Sequence, residues 1–168
     1  MPQCSSLESI PVCVKGAEQK YLRMVTVESD NPQMNKLCRS MDHGVDAAIV
    51  IQKKSTGNVQ IFFNNRHTYD CNVDKVVALL RAAEQMEEGC VITRDWDILE
   101  QEGIIPGCGV WFYHKPGRFV LNGSSTALQV PPTKLLLEDI KRYVRIGINP
   151  VTEVSERENM DVILSCIF

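Results

Sequence analysis

Residues 46–84 read DAAIVIQKKSTGNVQIFFNNRHTYDCNVDKVVALLRAAE, and this segment decides the fold. Its first part, residues 47–53, is apolar and β-branched, which is typical of a strand buried on both faces. Residues 56–58, Thr-Gly-Asn, predict a tight turn, because Gly and Asn tolerate a positive φ. Residues 59–63 then predict the returning strand. We therefore expect a β-hairpin.

The hairpin is followed by a change in the spacing of apolar residues. From Val73 to Ala83 they recur at steps of three and four, which is the spacing of one helix face. Asn72 stands before this run as the predicted N-cap. We expect the hairpin to pack on this helix, with Val76 and Leu80 inside, and the rest of the chain to pack around them.

The chain before the hairpin predicts a βαβ unit. Residues 1–18 are interrupted by prolines and predict an irregular arm, with an added edge strand as the alternative. Residues 21–28 predict a strand. Residues 29–32, Ser-Asp-Asn-Pro, predict a helix start, and Gly44 a helix stop. A strand, a helix and a strand within about thirty residues predict two parallel neighbours.

The chain after the central helix predicts further elements. Residues 93–102 predict a short helix capped by Thr93, and residues 110–130 predict an antiparallel meander of three strands. A last helix should open at Thr133 and close at Gly147. The tail, residues 149–168, ends in an apolar segment that we expect to dock on the domain or in an interface.

The composition agrees with one domain spanning residues 1–168. The hydrophobic content is 44%, which allows a real core, and the formal net charge is −3, which does not favour coating nucleic acid or membranes by bulk charge. No apolar run approaches the ~20 residues of a membrane span. We predict an α+β or α/β fold with a mixed sheet of five to seven strands and about three helices.

The cysteines and the N-terminus favour a cytoplasmic location. The seven cysteines are odd in number and form no Cys-x-x-Cys pair, so we expect buried thiols in a reducing compartment rather than disulfides or a zinc site. The first residues lack the basic start and the apolar block of a signal peptide. We predict no cofactor and no metal.

Two polar stretches are candidate binding loops. Residues 64–69 offer amide, guanidinium, imidazole and phenol groups, and residues 114–118 with 122–126 place cations and hydroxyls beside aromatic residues. The alternative is that both are ordinary polar turns. If the two loops meet in a cleft, a shared site becomes credible. The candidate ligand-binding residues are Asn64, Asn65, Arg66, His67, His114, Lys115, Arg118, Asn122 and Ser124.

Three functions stay open at this stage. The leading one is a non-catalytic binding domain for a nucleotide or short nucleic acid. The second is a structural or assembly protein that forms homo-oligomers through its C-terminal segment. The third is a small hydrolase or transferase that uses His67 or His114, although the three histidines are scattered and no catalytic constellation is evident. The expected partner is a phosphate-containing ligand or single-stranded nucleic acid.

The order of predicted elements from residue 21 to residue 147 resembles the C-terminal substrate-binding domain of DHH-family phosphoesterases. The similarity is carried by residues 45–50, VDAAIV, and 55–61, STGNVQI, with the helix that follows. The resemblance implies a domain that holds nucleic acid or a small phosphorylated substrate. Residues 121–125, LNGSS, stand where the family has a triple-glycine loop with a histidine, and the acidic motifs of its catalytic domain are absent. The resemblance thus implies a binding domain without its catalytic partner.

Overall fold

A seven-stranded mixed sheet forms the centre of the molecule. The structure, a computed structural model, describes residues 3–12 and 19–149, with side chains from residue 6 onward. The strands lie in the order β1-β2-β3-β4-β7-β6-β5. In chain order the elements are β1 Gln3–Val12, β2 Lys20–Glu28, α1 Met34–Arg39, β3 Ile49–Lys53, β4 Val59–Phe63, α2 Asn65–Thr68, α3 Val73–Glu87, α4 Trp96–Leu99, β5 Gly103–Ile105, β6 Cys108–His114, β7 Phe119–Leu121 and α5 Leu137–Ile148.

The hairpin and its helix are confirmed as the centre of the fold. Strands β3 and β4 pair antiparallel, from Lys53 opposite Val59 to Ile49 opposite Phe63. The Asn72 side chain accepts a hydrogen bond from the backbone N–H of Lys75, as an N-cap does. Val76 and Leu80 are both fully buried, because the apolar face of α3 lies against the sheet.

The remaining topology also agrees with the predicted class. β2 and β3 are parallel neighbours, joined through α1, and all other neighbouring strands are antiparallel. α3 packs on one face of the sheet and against α5, around the main core. α1 covers the opposite face over Val25, Val27 and Val50. The described fold is therefore α+β with a mixed seven-stranded sheet, and it has five helices, two of them single turns, rather than about three.

The N-terminal arm forms a strand, so the edge-strand alternative for this stretch is the correct one. β1 pairs antiparallel with β2, from Val12 opposite Lys20 to Gln3 opposite Glu28, with a register shift between Gln3 and Ser6. Ile10 and Val12 are buried in the core, and this burial of apolar surface stabilises the pairing of β1 with β2. Residues 13–18 and the tail from residue 150 lie outside the described residues.

Three predicted helix starts are wrong, because the polar side chains expected there bind other groups. α5 begins at Leu137 rather than at Thr133, whose hydroxyl donates to Glu84 Oε2 at 2.6 Å. α1 begins at Met34 rather than at Pro32, since the Asn31 carboxamide accepts the N–H of Gln33 and forms a turn. The same helix ends at Arg39 rather than near Gly44. α4 is capped by Asp95, whose carboxylate accepts the N–H of Asp97. Thr93 instead exchanges hydrogen bonds with the Gln85 side chain.

The predicted third strand of the meander is absent from the described residues. Residues 122–130 form turns with one isolated bridge between Ser124 and Ala127. Gly123 has a positive φ of 78°, and the Asn58 side chain donates to the carbonyls of Asn122 and Val130. These contacts fold the segment back on the β3–β4 turn. β5 lies over residues 103–105 on the other side of β6 instead.

Gly147 lies inside α5 and does not end it, which corrects the prediction from the sequence. A Cβ at this position would lie 2.7 Å from both the N and the Cα of Val76. Glycine is needed because α5 meets the backbone of α3 here. We expect Gly147→Ala to lower the free energy of unfolding by about 1–2 kcal/mol, since the clash outweighs the better helix propensity of Ala.

Urea denaturation followed by tryptophan fluorescence measures this loss. Gly109→Ala is the matched control, because an added methyl there meets no atom within 4 Å and Gly109 has no positive φ. Its free energy of unfolding should change by less than about 0.5 kcal/mol. Equal effects of the two substitutions would contradict the close approach of the helices.

Candidate site where two loops meet at one end of the sheet

Residues 64–69 and 114–118, two of the predicted binding stretches, lie at the same end of the sheet. The first loop follows β4 and contains the single-turn helix α2, which the sequence did not predict, and the second loop precedes β7 at Phe119. The two loops lie at one end because β4 and β7 are antiparallel neighbours. The N–H of Phe63 donates to the carbonyl of Arg118 at 2.9 Å. Strand pairing therefore fixes the distance between the loops.

Side chains also join the loops directly. Arg118 donates from Nη2 to the carbonyl of Thr68 and to the Thr68 hydroxyl, the latter at 3.1 Å. Lys115 Nζ lies 3.3 Å from Asp74 Oδ2 in the first turn of α3. Arg118 and Lys115 are thus held at one end of the sheet beside the loop that ends β4.

A cleft of about 400 Å³ opens between these loops and the start of α3. We call it the cation cleft, and its lining is formed by residues 69–74 together with Tyr113, Lys115 and Arg118. Lys115 is the most solvent-exposed cation of the cleft, with 58% of its side chain accessible. The volume lies within the ~300–1,000 Å³ of small-molecule sites.

The floor of the cation cleft holds a buried phenol. Tyr113 Oη donates to Asp74 Oδ1 at 2.6 Å, and burial together with this carboxylate raises the pKa of Tyr113 above its ordinary value. Burial likewise raises the pKa of the Cys71 thiol to about 11. At neutral pH both groups are protonated, so neither supplies an anionic nucleophile.

Lys20 and Tyr69 form the rim of the cleft. Lys20 Nζ lies 2.5 Å from Asp70 Oδ1 and 5.4 Å from the centre of the Tyr69 ring. Tyr69 is 70% exposed, so one aromatic face beside a cation is available to solvent. The ion pair with Lys20 lowers the pKa of Asp70, which stays charged at neutral pH.

Arg66 and His67 lie on the other side of the same loop. Asp46 accepts from Arg66 Nη2 at 2.6 Å, and its second oxygen lies 3.0 Å from His67 Nε2. The hydrogen bond with His67 and then the pairing with Arg66 lower the pKa of Asp46. These two candidate residues therefore share a carboxylate with each other and do not contact Lys115.

Two residues of this end have an unusual backbone. Asp46 and Arg118 have φ values of 52° and 54° and are the non-glycine residues with positive φ in the part of the chain that the structure describes. Such conformations cost of order 1 kcal/mol and concentrate at functional sites. Both residues carry charges that face the two loops.

The remaining candidate binding residues at this end of the sheet are Asn64, Asn65 and His114. Asn64 is buried, where its side chain accepts from Arg66 N and donates to the carbonyl of Ala47, so it holds the loop. Asn65 is exposed. The His114 ring stacks on Phe119 at 4.6 Å, and its Nδ1 accepts from Gly117 N at 2.9 Å.

Asn122 and Ser124 are not part of this cluster. They lie towards the opposite end of the sheet, beside the β3–β4 turn, where Asn122 donates to Val110 and Pro131 carbonyls and accepts from two backbone N–H groups. Asn122 is fully buried. The Ser124 hydroxyl lies 3.0 Å from that of Thr126.

The sequence reasoning missed Lys20, Asp46 and Asp74 as members of the site. Asp74 lies in the first turn of α3, but its contacts with Tyr113 and Lys115 depend on tertiary packing. Asp46 precedes β3 by three residues, and its pairing with Arg66 and His67 depends on the conformation of the loop after β4. Lys20 reaches the loop across 50 residues, and the sequence contains no signal for that contact.

The described residues contain no group of three or more His, Cys, Asp and Glu side chains arranged to hold a metal ion. None of their helices is long and apolar enough to cross a membrane. His67 and His114 have different partners, and their use in a hydrolase or transferase stays a prediction. The predicted interface at the C-terminal segment lies outside the described residues.

Comparisons with protein-family models, with curated proteins and with solved structures found no match to this chain. The resemblance to the DHH-family domain therefore stays a prediction, and the function rests on the chemistry of the site.

Proposed function

We propose that the protein is a non-catalytic binding domain for a nucleotide or a short nucleic acid, and that the ligand binds in the cation cleft. The observation that carries the proposal is the contact of the two loops through Arg118 and Thr68. It brings Lys115 and Arg118 to the mouth of a cleft that also has the exposed Tyr69 ring on its rim.

The chemistry of the cleft suits a phosphate beside a flat ring. Arg and Lys donate charge-assisted hydrogen bonds to phosphate oxygens, and an exposed tyrosine stacks on a base. Among the charged residues described at this end of the sheet, cations outnumber carboxylates. The three aspartates Asp46, Asp70 and Asp74 pair with Arg66, Lys20 and Lys115, respectively. Two further cations, Arg23 and Arg118, instead donate to backbone carbonyls. A local positive excess therefore exists in a chain whose net charge is −3.

The predicted kinship with the DHH-family substrate-binding domain supports the same class of ligand. Under this proposal, the chain binds the ligand, and any reaction is catalysed by another protein or domain. The catalytic alternative finds less support, because Tyr113 and Cys71 are protonated at neutral pH and the described residues offer no metal-binding cluster.

The double substitution Lys115→Ala with Arg118→Ala tests the proposal. We expect the affinity for 2′-deoxynucleoside 5′-monophosphates at low ionic strength to fall at least about thirty-fold, because two charge-assisted hydrogen bonds are lost at ~1–1.5 kcal/mol each. Isothermal titration calorimetry measures the loss.

The matched control is Lys134→Ala with Arg142→Ala, which removes the same charge from exposed residues away from the cleft. Its affinity should stay within about two-fold of the unmodified protein. Failure of the unmodified protein to bind any of the nucleotides, or equal losses in the two variants, would refute the proposed function.

A further inference from the structure

The charges of the cation cleft are almost balanced. Among the described residues, its lining and rim hold three cations and two carboxylates, which are Lys20, Lys115, Arg118, Asp70 and Asp74. Each aspartate has one of the lysines as its partner, with Lys20 Nζ at 2.5 Å from Asp70 Oδ1 and Lys115 Nζ at 3.3 Å from Asp74 Oδ2. One unit of positive charge therefore remains for a ligand.

Arg118 carries that remaining charge. Its Nη2 donates to the carbonyl and to the hydroxyl of Thr68, which are neutral groups, and it forms no ion pair with the carboxylates of the described residues. The side chain is partly exposed, and a guanidinium has five N–H groups, so donors remain for an anion. An anion can balance the charge of Arg118 without displacing an aspartate.

The Asp74 carboxylate lies close to any phosphate that binds Lys115. A phosphate oxygen that accepts from Lys115 Nζ at ~2.8 Å lies within about 6 Å of Asp74 Oδ2, whichever way it approaches. Asp74 Oδ1 accepts from Tyr113 Oη at 2.6 Å, and this hydrogen bond holds the carboxylate at the floor of the cleft. Two negative charges at this distance repel each other, and the repulsion grows with the charge of the ligand.

Phosphate esters differ in the charge that they bring to such a cleft. A phosphomonoester, such as the phosphate of a free nucleotide, carries about two negative charges at neutral pH. A phosphodiester, the internal linkage of a nucleic acid, carries a single negative charge. The charge of Arg118 balances the diester, whereas the second charge of the monoester meets only paired cations and the carboxylate of Asp74.

We infer that the cation cleft selects a phosphodiester of a nucleic acid over the phosphomonoester of a free nucleotide, and that Asp74 is the residue that sets this preference. The inference rests on the proposed function and narrows its ligand to a nucleic acid strand. The exposed ring of Tyr69 at the rim offers a stacking surface for a base next to the phosphate. A free nucleotide still binds through Lys115 and Arg118, but more weakly.

Thymidine 5′-monophosphate and its methyl ester test the preference, because they share the nucleoside and differ in the charge of the phosphate. Isothermal titration calorimetry at neutral pH and low ionic strength measures both affinities. We expect the methyl ester to bind at least about five-fold more tightly. Dimethyl phosphate, a diester without a base, should bind at least about five-fold more weakly than the methyl ester. Equal affinities for the two diesters would contradict a nucleic acid ligand.

Asp74→Asn should abolish the preference. The amide keeps an oxygen for Tyr113 Oη and removes the negative charge, so the affinities for the two thymidine probes should agree within about two-fold. The matched control is Asp139→Asn, which removes a carboxylate from the first turn of α5. It should keep the preference, since Asp139 pairs with Arg142 and lies outside the cleft. Near-UV circular dichroism checks that both variants are folded.

The two proposals fail in different ways. Equal affinities of the unmodified protein for the two thymidine probes, both lost in the Lys115 and Arg118 variant, would overturn this inference alone. A preference that survives in folded Asp74→Asn would overturn the role of Asp74. Absence of binding to both thymidine probes would overturn the proposed function.

Discussion

Replacing Arg81 with methionine should lower the free energy of unfolding by about 4 kcal/mol. Arg81 is fully buried in α3 and donates to four backbone carbonyls, those of Leu99, Gln101, Gly103 and Trp111, at 2.6–3.2 Å. Methionine fills a similar volume but leaves the four acceptors without donors, and each unmade bond costs ~1–3 kcal/mol, partly offset by the removal of a buried charge.

The positive charge of Arg81 is retained in the fold. Burial lowers its pKa to about 10, so the guanidinium is still protonated at neutral pH. Arg81→Lys should recover only part of the loss, because an ammonium has three N–H groups without the planar fork that four carbonyls require. Arg142→Met, at an exposed position of α5, is the control and should change stability by less than about 0.5 kcal/mol.

Urea denaturation at neutral pH measures all three variants. The signal is strong because Trp96 and Trp111 are buried. A loss below about 1.5 kcal/mol for Arg81→Met would contradict the described role, in which this side chain ties the α4–β5 segment and β6 to the central helix.

Asn122→Ala should lower the free energy of unfolding by about 3 kcal/mol and leave ligand affinity unchanged. The Asn122 side chain accepts from the N–H groups of Val59 and Thr133 at 3.3 and 2.8 Å. It donates to the carbonyls of Val110 and Pro131 at 3.1 and 2.9 Å. Alanine leaves these groups buried and without their partner, which is costly.

This prediction separates a structural asparagine from a ligand-binding one. Mononucleotide affinity is measured at a temperature at which the variant is folded, as judged by near-UV circular dichroism. Asn65→Ala, at an exposed position, should leave the free energy of unfolding within about 0.5 kcal/mol of that of the unmodified protein. A stable Asn122→Ala protein that no longer binds nucleotides would show that Asn122 contacts the ligand.

The sequence predicted the elements whose signals are local. The hairpin over residues 47–63 and the helix capped by Asn72 follow from β-branched runs, a Gly-Asn turn and a regular apolar spacing, and the structure has both. The faces of β6 also follow from strand alternation, with Trp111 and Tyr113 buried and Phe112 exposed. These patterns depend only on neighbouring residues.

Helix ends and side-chain roles were harder to predict, because distant partners decide them. Thr93 is a residue type that often caps helices, but its hydroxyl and its backbone N–H are hydrogen-bonded to the Gln85 side chain of α3. Gly147 looks like a helix stop, but the backbone of α3 requires it inside α5. Asn122 looks like an exposed turn residue, yet four main-chain groups from three segments surround it.

The same limit applies to the candidate site. Seven of the nine proposed residues lie at one end of the sheet, because β4 and β7 are neighbours, a pairing that the sequence did not specify. The remaining two, Asn122 and Ser124, follow β7 at the opposite end. The acidic partners Asp46, Asp70 and Asp74 become visible only in three dimensions.

The carboxylates beside the cations have a consequence for selectivity. Each of Lys20, Arg66 and Lys115 already has an aspartate within 3.3 Å. An incoming anion must therefore replace this aspartate as the partner of the cation. Dilute chloride or acetate offers a single charge and gains little by that exchange. A polyanion that contacts several cations at once compensates for the ion pairs that it displaces. The paired surface therefore favours polyanions over the simple monovalent anions of the solution.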